Sequence, residues 1–145
     1  MEQRLTFISL GVRDVAASRA FYVNGLGWTP HQEVPGEVIF LQVNHGLILS
    51  LWDRGQMAAE LGAGQGAEPD FAGVPPVTLS QNVAGETEVD AVLEQARAAG
   101  AAAVVEPRRQ PWGGYSGYFA DPDGFRWEVA FNPTWRVDDG GNVTV

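Results

Sequence analysis

At 145 residues the chain has the size of one ordinary domain, is 45% hydrophobic and 19% charged, and contains no cysteine; that composition is globular and excludes disulfides, thiolate metal sites and cysteine nucleophiles. A formal charge of -9, from 18 acidic against 9 basic residues, repels phosphate backbones, so nucleic acid is not expected as a partner. No apolar run approaches the roughly 18 residues that cross a bilayer, and the opening MEQRLTFISL lacks a basic region followed by an apolar segment, so no membrane association and a cytoplasmic location are expected.

The first expected element is a strand from Leu5 to Val12, apolar on both of its alternating faces. Asp14 is placed to cap a helix over about Val15 to Asn24, in which Ala16, Ala20 and Val23 recur at helical spacing and Phe21 widens the apolar stripe. Gly25 and Gly27 supply a left-handed stop. A short strand from Trp28 to Glu33 and a hairpin from Phe40 to Trp52 complete the unit. Residues 56–75, rich in glycine, alanine and proline, are expected to be a surface linker, and the GAGQG run within it has no phosphate-loop context.

The same order then repeats. Val77 to Val83 has a strand pattern, Thr87 and Asp90 stand at capping-box spacing before Val89, Val92, Leu93 and Ala96, and Gly100 ends the helix. Ala102 to Glu106 is the next strand. Setting Gly46 against Gly124 aligns FLQVNHGLILSLW, Phe40 to Trp52, with YFADPDGFRWEVA, Tyr118 to Ala130, without a gap. Asp121-Pro122-Asp123-Gly124 fits a type I turn with glycine in the left-handed bulge position, and Asn44-His45-Gly46 fits the same geometry. The fold class expected is α+β: two tandem βαβββ units, about 4–55 and 76–132, with a tail 133–145 in which Asp138-Asp139-Gly140-Gly141-Asn142 marks a terminal hairpin turn.

Turn geometry also fixes which side chains meet. With a type I turn plus bulge, Tyr118 pairs with Glu128, so a phenol and a carboxylate point into the same space. Arg126, Glu128 and Ala130 share one face of the last strand, and Phe125, Trp127, Val129 and Phe131 share the other. By the repeat, Phe40 and Ser50 occupy the places of Tyr118 and Glu128.

A duplicated unit of this size, with D-V-x-x-S-x-x-F-Y-x-x-x-L-G-W at Asp14 to Trp28 and F-A-D-P-D-G-x-x-W-E at Phe119 to Glu128, resembles the vicinal oxygen chelate superfamily of glyoxalases, bleomycin-resistance proteins and extradiol dioxygenases. The resemblance implies two halves curved into half-barrel sheets around a cavity, and a homodimer. In metal-dependent relatives the glutamate matching Glu128 is a ligand, and in extradiol dioxygenases a catalytic tyrosine precedes it by the spacing that separates Tyr118 from Glu128. The family's other ligand positions fall on Phe7, Ser50 and Thr78, none of them a strong donor, so no divalent metal or other cofactor is expected. His31 and His45 fall on no ligand position; each is expected to be structural or exposed.

The expected activity is binding of a small organic molecule in an aromatic pocket, by drug sequestration in its most concrete form. Candidate lining residues are Phe7, Phe40, Ser50, Trp52, Thr78, Trp112, Tyr115 and Arg126. The enzymatic alternative is a lyase, isomerase or dioxygenase in which Glu128 and Tyr118 act as catalytic residues, with any metal held atypically. Two plainer readings compete: an Arg126–Glu128 structural ion pair, and a vestigial cavity filled by Phe7, Phe40 and Trp52.

Overall fold

The computed structural model describes residues 1, 3, 5–61 and 75–144; the GAGQG run lies outside the described residues. The chain divides into two units, Met1–Ala72 and Gly73–Val145. In the first, β1 (Phe7–Val12) leads through a helix to β2 (Gln32–Val34), β3 (Val38–Asn44) and β4 (Leu47–Asp53). In the second, β5 (Thr78–Asn82) leads through a helix to β6 (Ala103–Arg109), β7 (Tyr115–Ala120) and β8 (Arg126–Phe131). The sheet orders are β1-β4-β3-β2 and β5-β8-β7-β6, the same topology twice. Each first strand runs parallel to the last strand of its unit and the remaining pairs are antiparallel, so both sheets are mixed and open, and the class is α+β.

Asp14 caps α1 (Val15–Arg19) as its side chain dictates: Oδ1 accepts from the Ala16 N–H at 2.8 Å and the Ala17 N–H at 3.2 Å. The expected single helix to Asn24 is corrected. From Ala20 to Gly25 the chain winds as a π-helical segment, with the Leu26 N–H reaching Phe21 O at 2.9 Å. The wider turn brings the consecutive rings of Phe21 and Tyr22 both into the core, edge to face at 5.1 Å. Trp28 packs its ring on Tyr22 at 5.3 Å, outside any strand, and β2 begins only at Gln32.

The linker expectation is corrected at its start. Asp53 caps α2 (Arg54–Glu60), its carboxylate accepting from the Gln56 N–H at 2.9 Å, and Ala58 is buried. Gly11 of β1 makes room for this helix: a Cβ there would stand 3.3 Å from Arg54 Cβ and Met57 Sδ. The capping box of the second helix is corrected too. α3 (Glu86–Ala98) starts after Gly85, and Thr87 lies inside its first turn. Glu88 takes the reaching-back role, its carboxylate accepting from the Ala84 N–H at 3.2 Å.

Helix α3 lays Val89, Leu93 and Ala96, all under 3% exposed, on the face of the second sheet that carries Phe119, Trp127 and Val129. Burying Val89 and Leu93 in this way contributes about 1.5–3 kcal/mol each. Phe119 and Trp127 stack across the β7–β8 pair at 6.1 Å. Gly117 of β7 lets the helix come close, because a Cβ there would lie 2.6 Å from Leu93 Cδ1. The tail forms the expected hairpin, β9 (Arg136–Val137) with β10 (Val143–Thr144), its turn closed by the Asp138 carboxylate accepting from the Gly140 and Asn142 N–H groups at 2.9 Å.

Candidate functional site

The Asp121–Gly124 turn sets the register of the second unit. Gly124 takes a φ of 93°, its N–H bonds Asp121 O at 3.0 Å, and the buried Asp121 carboxylate accepts from the N–H groups of Asp123 and Phe125 at 3.0 and 2.9 Å. That register pairs Tyr118 with Glu128. Tyr118 OH donates to Glu128 Oε1 at 2.8 Å, and from the parallel neighbour β5 the Ser80 hydroxyl donates to Oε2 at 3.3 Å. Glu128 is thus a half-buried carboxylate served by one hydroxyl on each oxygen. Tyr118 feels it in return: the hydrogen bond to Glu128, then burial, raises the phenol above its ordinary value of 10.0, so at neutral pH it remains a protonated donor.

Beside Glu128 opens a cleft of about 360 Å³ lined by Asn82, Trp112, Glu128, Ala130, Asn132 and Trp135. All six belong to the second unit. Trp112 stands on a tight turn in which the Gly113 N–H bonds Gln110 O at 2.9 Å and Gly113 has a φ of 91°. Its indole lies against Gly114, where a Cβ would fall 1.6 Å from the ring; only glycine at 114 permits this wall. Asn132 anchors the other rim, its Oδ1 accepting from the Thr134 N–H at 3.0 Å and hydroxyl at 2.9 Å. Trp135 follows, 41% exposed.

Of the residues singled out from the sequence, Tyr118, Glu128 and Trp112 are gathered here. Thr78 and Arg126 pair with one another two positions along the same face. Arg126 forms no ion pair among the described residues, so the competing reading of an Arg126–Glu128 bridge finds no support in them. The partner of Glu128 on the first strand is Ser80, two residues beyond Thr78. Tyr115 turns away: it lies on the helix-facing side and donates to Asp90 Oδ1 at 2.9 Å, which together with burial raises its own pKa.

In the first unit the same register joins Phe40 to Ser50. Ser50, 2% exposed, donates to Ser9 Oγ at 2.8 Å. Ser9, not Phe7, is paired with Ser50, and Phe7 instead meets Phe40 edge to face at 6.1 Å. Trp52 pairs with Gly11 and Val38 on that face. The first unit therefore repeats the layout with rings and hydroxyls where the second has a phenol and a carboxylate. His31 and His45 are both exposed.

Sequence reasoning missed Ser80, Asn82, Asn132 and Trp135. For Trp135 and Asn132 a signal existed: an amide immediately before Pro133 and an indole two residues after it follow the aromatic strand directly. For Ser80 there was none, since parallel register depends on the crossover and no turn reports it.

Residues 4–129 match the model of the Glyoxalase/Bleomycin resistance protein/Dioxygenase superfamily. The chain belongs to this superfamily. It is 33% identical over 125 residues, 83% of this chain and 78% of the relative, to the uncharacterized protein Mb0911c of Mycobacterium bovis. Among solved structures it is similar to a glyoxalase-related enzyme from Fulvimarina pelagi, at 36% identity and a TM-score of 0.86 with 99% of both chains covered. It is also similar to a glyoxalase/bleomycin resistance protein/dioxygenase from Nocardioides, at 29% identity, a TM-score of 0.69, and 90% and 84% of the two chains. For a superfamily that includes metal enzymes, the donors around Glu128 are unusual. Among the described residues no three histidine, cysteine, aspartate or glutamate side chains are grouped to hold a metal ion, and one carboxylate with two hydroxyls does not fit a zinc, nickel or iron centre.

Proposed function

We propose that this superfamily member binds a small organic molecule in the cleft beside Glu128, without a resident metal at that carboxylate. One observation carries the reading: a cleft of about 360 Å³ joins two indoles to a carboxylate held on both oxygens by Tyr118 and Ser80. Flat apolar walls with a few oriented polar groups are what small-molecule recognition requires. The hydroxyls hold Glu128 in one rotamer, so little side-chain entropy is lost when a ligand arrives. Sequestration of a drug or metabolite, in a cytoplasmic homodimer, is the form this function takes.

Thermal-shift screening of the purified protein against metabolites and glycopeptide drugs, beside Glu128→Gln and Tyr118→Phe, tests it. A stabilising ligand whose effect shrinks in either variant is expected. Stoichiometric iron, nickel or zinc in exhaustively dialysed protein, lost in Glu128→Gln, overturns the metal-free reading.

A second reading rests on the 2.8 Å bond between Tyr118 and Glu128. A carboxylate that takes a proton from bound substrate while the adjacent phenol donates to the developing charge is the arrangement of a general acid–base pair. In that reading the chain is a lyase or isomerase, or a dioxygenase with a metal held atypically. Turnover of a screened ligand, abolished in Tyr118→Phe while binding persists, distinguishes it from sequestration.

A further inference from the structure

Resting on the proposed cleft, we infer that its ligand is an organic cation: a flat apolar group bearing an ammonium or comparable charged nitrogen. The hydrogen-bond inventory around Glu128 points there. An ionised carboxylate offers about four lone-pair sites, and two are filled by Tyr118 and Ser80. Tyr118 has one hydroxyl hydrogen and spends it on Glu128, as Ser80 does, so neither hydroxyl keeps a proton for a ligand. What remains unspent at Glu128 is acceptor capacity carrying a negative charge, and the other polar side chains of the lining, the amides of Asn82 and Asn132, can donate or accept but bring no charge.

Among the described residues no lysine or arginine lines the cleft. Arg126 and Arg108 share this face of the sheet, through Thr78 and Ser116, but Arg126 forms no ion pair among the described residues, and the pull of Arg108 on Tyr118 is the weakest of the influences acting there. The walls agree with the floor. The faces of Trp112 and Trp135 attract cations through the indole quadrupole, tryptophan being the best of the aromatic partners. A chain with a formal charge of -9 adds long-range attraction of the same sign. An anionic ligand would meet an already half-buried carboxylate and gain no counter-charge among the lining residues.

The test uses three probes of one shape: phenethylammonium, 2-phenylethanol and 3-phenylpropionate, titrated into the full chain while the indole N–H signals of Trp112 and Trp135 are followed by NMR. The expected result is binding in that order, with the ammonium at least about tenfold tighter than the alcohol. Glu128→Gln, which removes the charge and keeps one acceptor oxygen of the two, is expected to erase that tenfold preference. Equal or tighter binding of the alcohol or the carboxylate, or an ammonium affinity unmoved in Glu128→Gln, overturns the cation inference. Trp135→Ala, a change at an exposed residue, separates the two levels: if it weakens whichever probe binds, the cleft reading stands even when the cation inference falls. Absence of binding by all three probes overturns the inference and counts against the cleft as well.

Discussion

The two hairpins share a backbone and differ in chemistry. Phe40 faces Ser50 in the first unit and Tyr118 faces Glu128 in the second, in the same register after equivalent glycine turns. The first pair closes on itself, as Ser50 bonds Ser9 and Phe40 meets Phe7. The second leaves a carboxylate with capacity toward a cleft. Pairing alone therefore does not make a site. What differs is one ionisable group plus the two indoles of Trp112 and Trp135, supplied by segments outside the hairpin. The sheet interiors differ as well: where β3 carries the buried Ile39, the matching position of β7 is Gly117, with Leu93 and the backbone of Val105 in the space a side chain would take.

Exchanging those interior residues is the harshest way to break the comparison. Gly117→Ile is expected to destabilise the second unit by several kcal/mol, at or beyond the usual overpacking cost of about 1–3 kcal/mol, because backbone at Val105 as well as Leu93 must yield. Ile39→Ala in the first unit leaves a cavity and is expected to cost about 2–5 kcal/mol. Urea unfolding of both variants measures this; an unchanged midpoint in Gly117→Ile would show that α3 is not packed on that strand.

Removing the wall of the cleft is the next test. Gly114→Ala sets a methyl where the Trp112 ring now lies, so the indole must swing away. A ligand found by screening is expected to lose about tenfold in affinity, or about 1.4 kcal/mol, with the Trp112 indole N–H signal displaced in the ligand-free protein. The hydroxyl pair of the first unit gives a smaller effect. Ser50→Ala leaves Ser9, an exposed residue, to turn to water, and is expected to cost about 1 kcal/mol without touching ligand affinity. An affinity change there would mean that the first unit's face contributes to binding.

The smallest effect sharpens the pairing itself. The Tyr118 phenol is held above 10.0 by its bond to Glu128, so absorbance titration is expected to show it ionising later than free tyrosine. In Glu128→Gln its pKa returns toward 10.0. A group with a raised folded-state pKa stabilises the fold fully below its unfolded value, and that contribution is lost as pH climbs through the folded value. Any stability that the Tyr118 bond provides is therefore intact at neutral pH and disappears only in the alkaline range above about 10. Identical titration of wild type and Glu128→Gln would sink the bond.

Local chemistry made much of this legible in advance. Asp14 could be recognised as a cap because a short carboxylate before a helical stripe satisfies the first N–H groups of the helix. Asp121-Pro122-Asp123-Gly124 announced its turn, and a turn of known type fixes an antiparallel register, so the Tyr118–Glu128 pairing followed from residues within ten positions of each other. The start of α2 was hidden because Arg54–Glu60 reads as alanine- and glycine-rich linker until Ala58 and Met57 find β1 and β4 to pack against. Gly85, in extended backbone, stands at the cap position in place of Thr87, which falls inside the first turn.

The amino-acid sequence by itself determined the duplicated order of elements, the superfamily, and the phenol–carboxylate pair, since each rests on turns, caps and periodicities that act over a few residues. Only the tertiary structure decided that Ser80 rather than Thr78 serves Glu128, that Tyr115 belongs to the helix side, and that Trp112, Asn132 and Trp135 stand round one cleft. The physical reason is distance along the chain. The register of parallel strands and the meeting of a loop with a tail are set by how the crossover helix and its side chains pack, and no local rule carries that information.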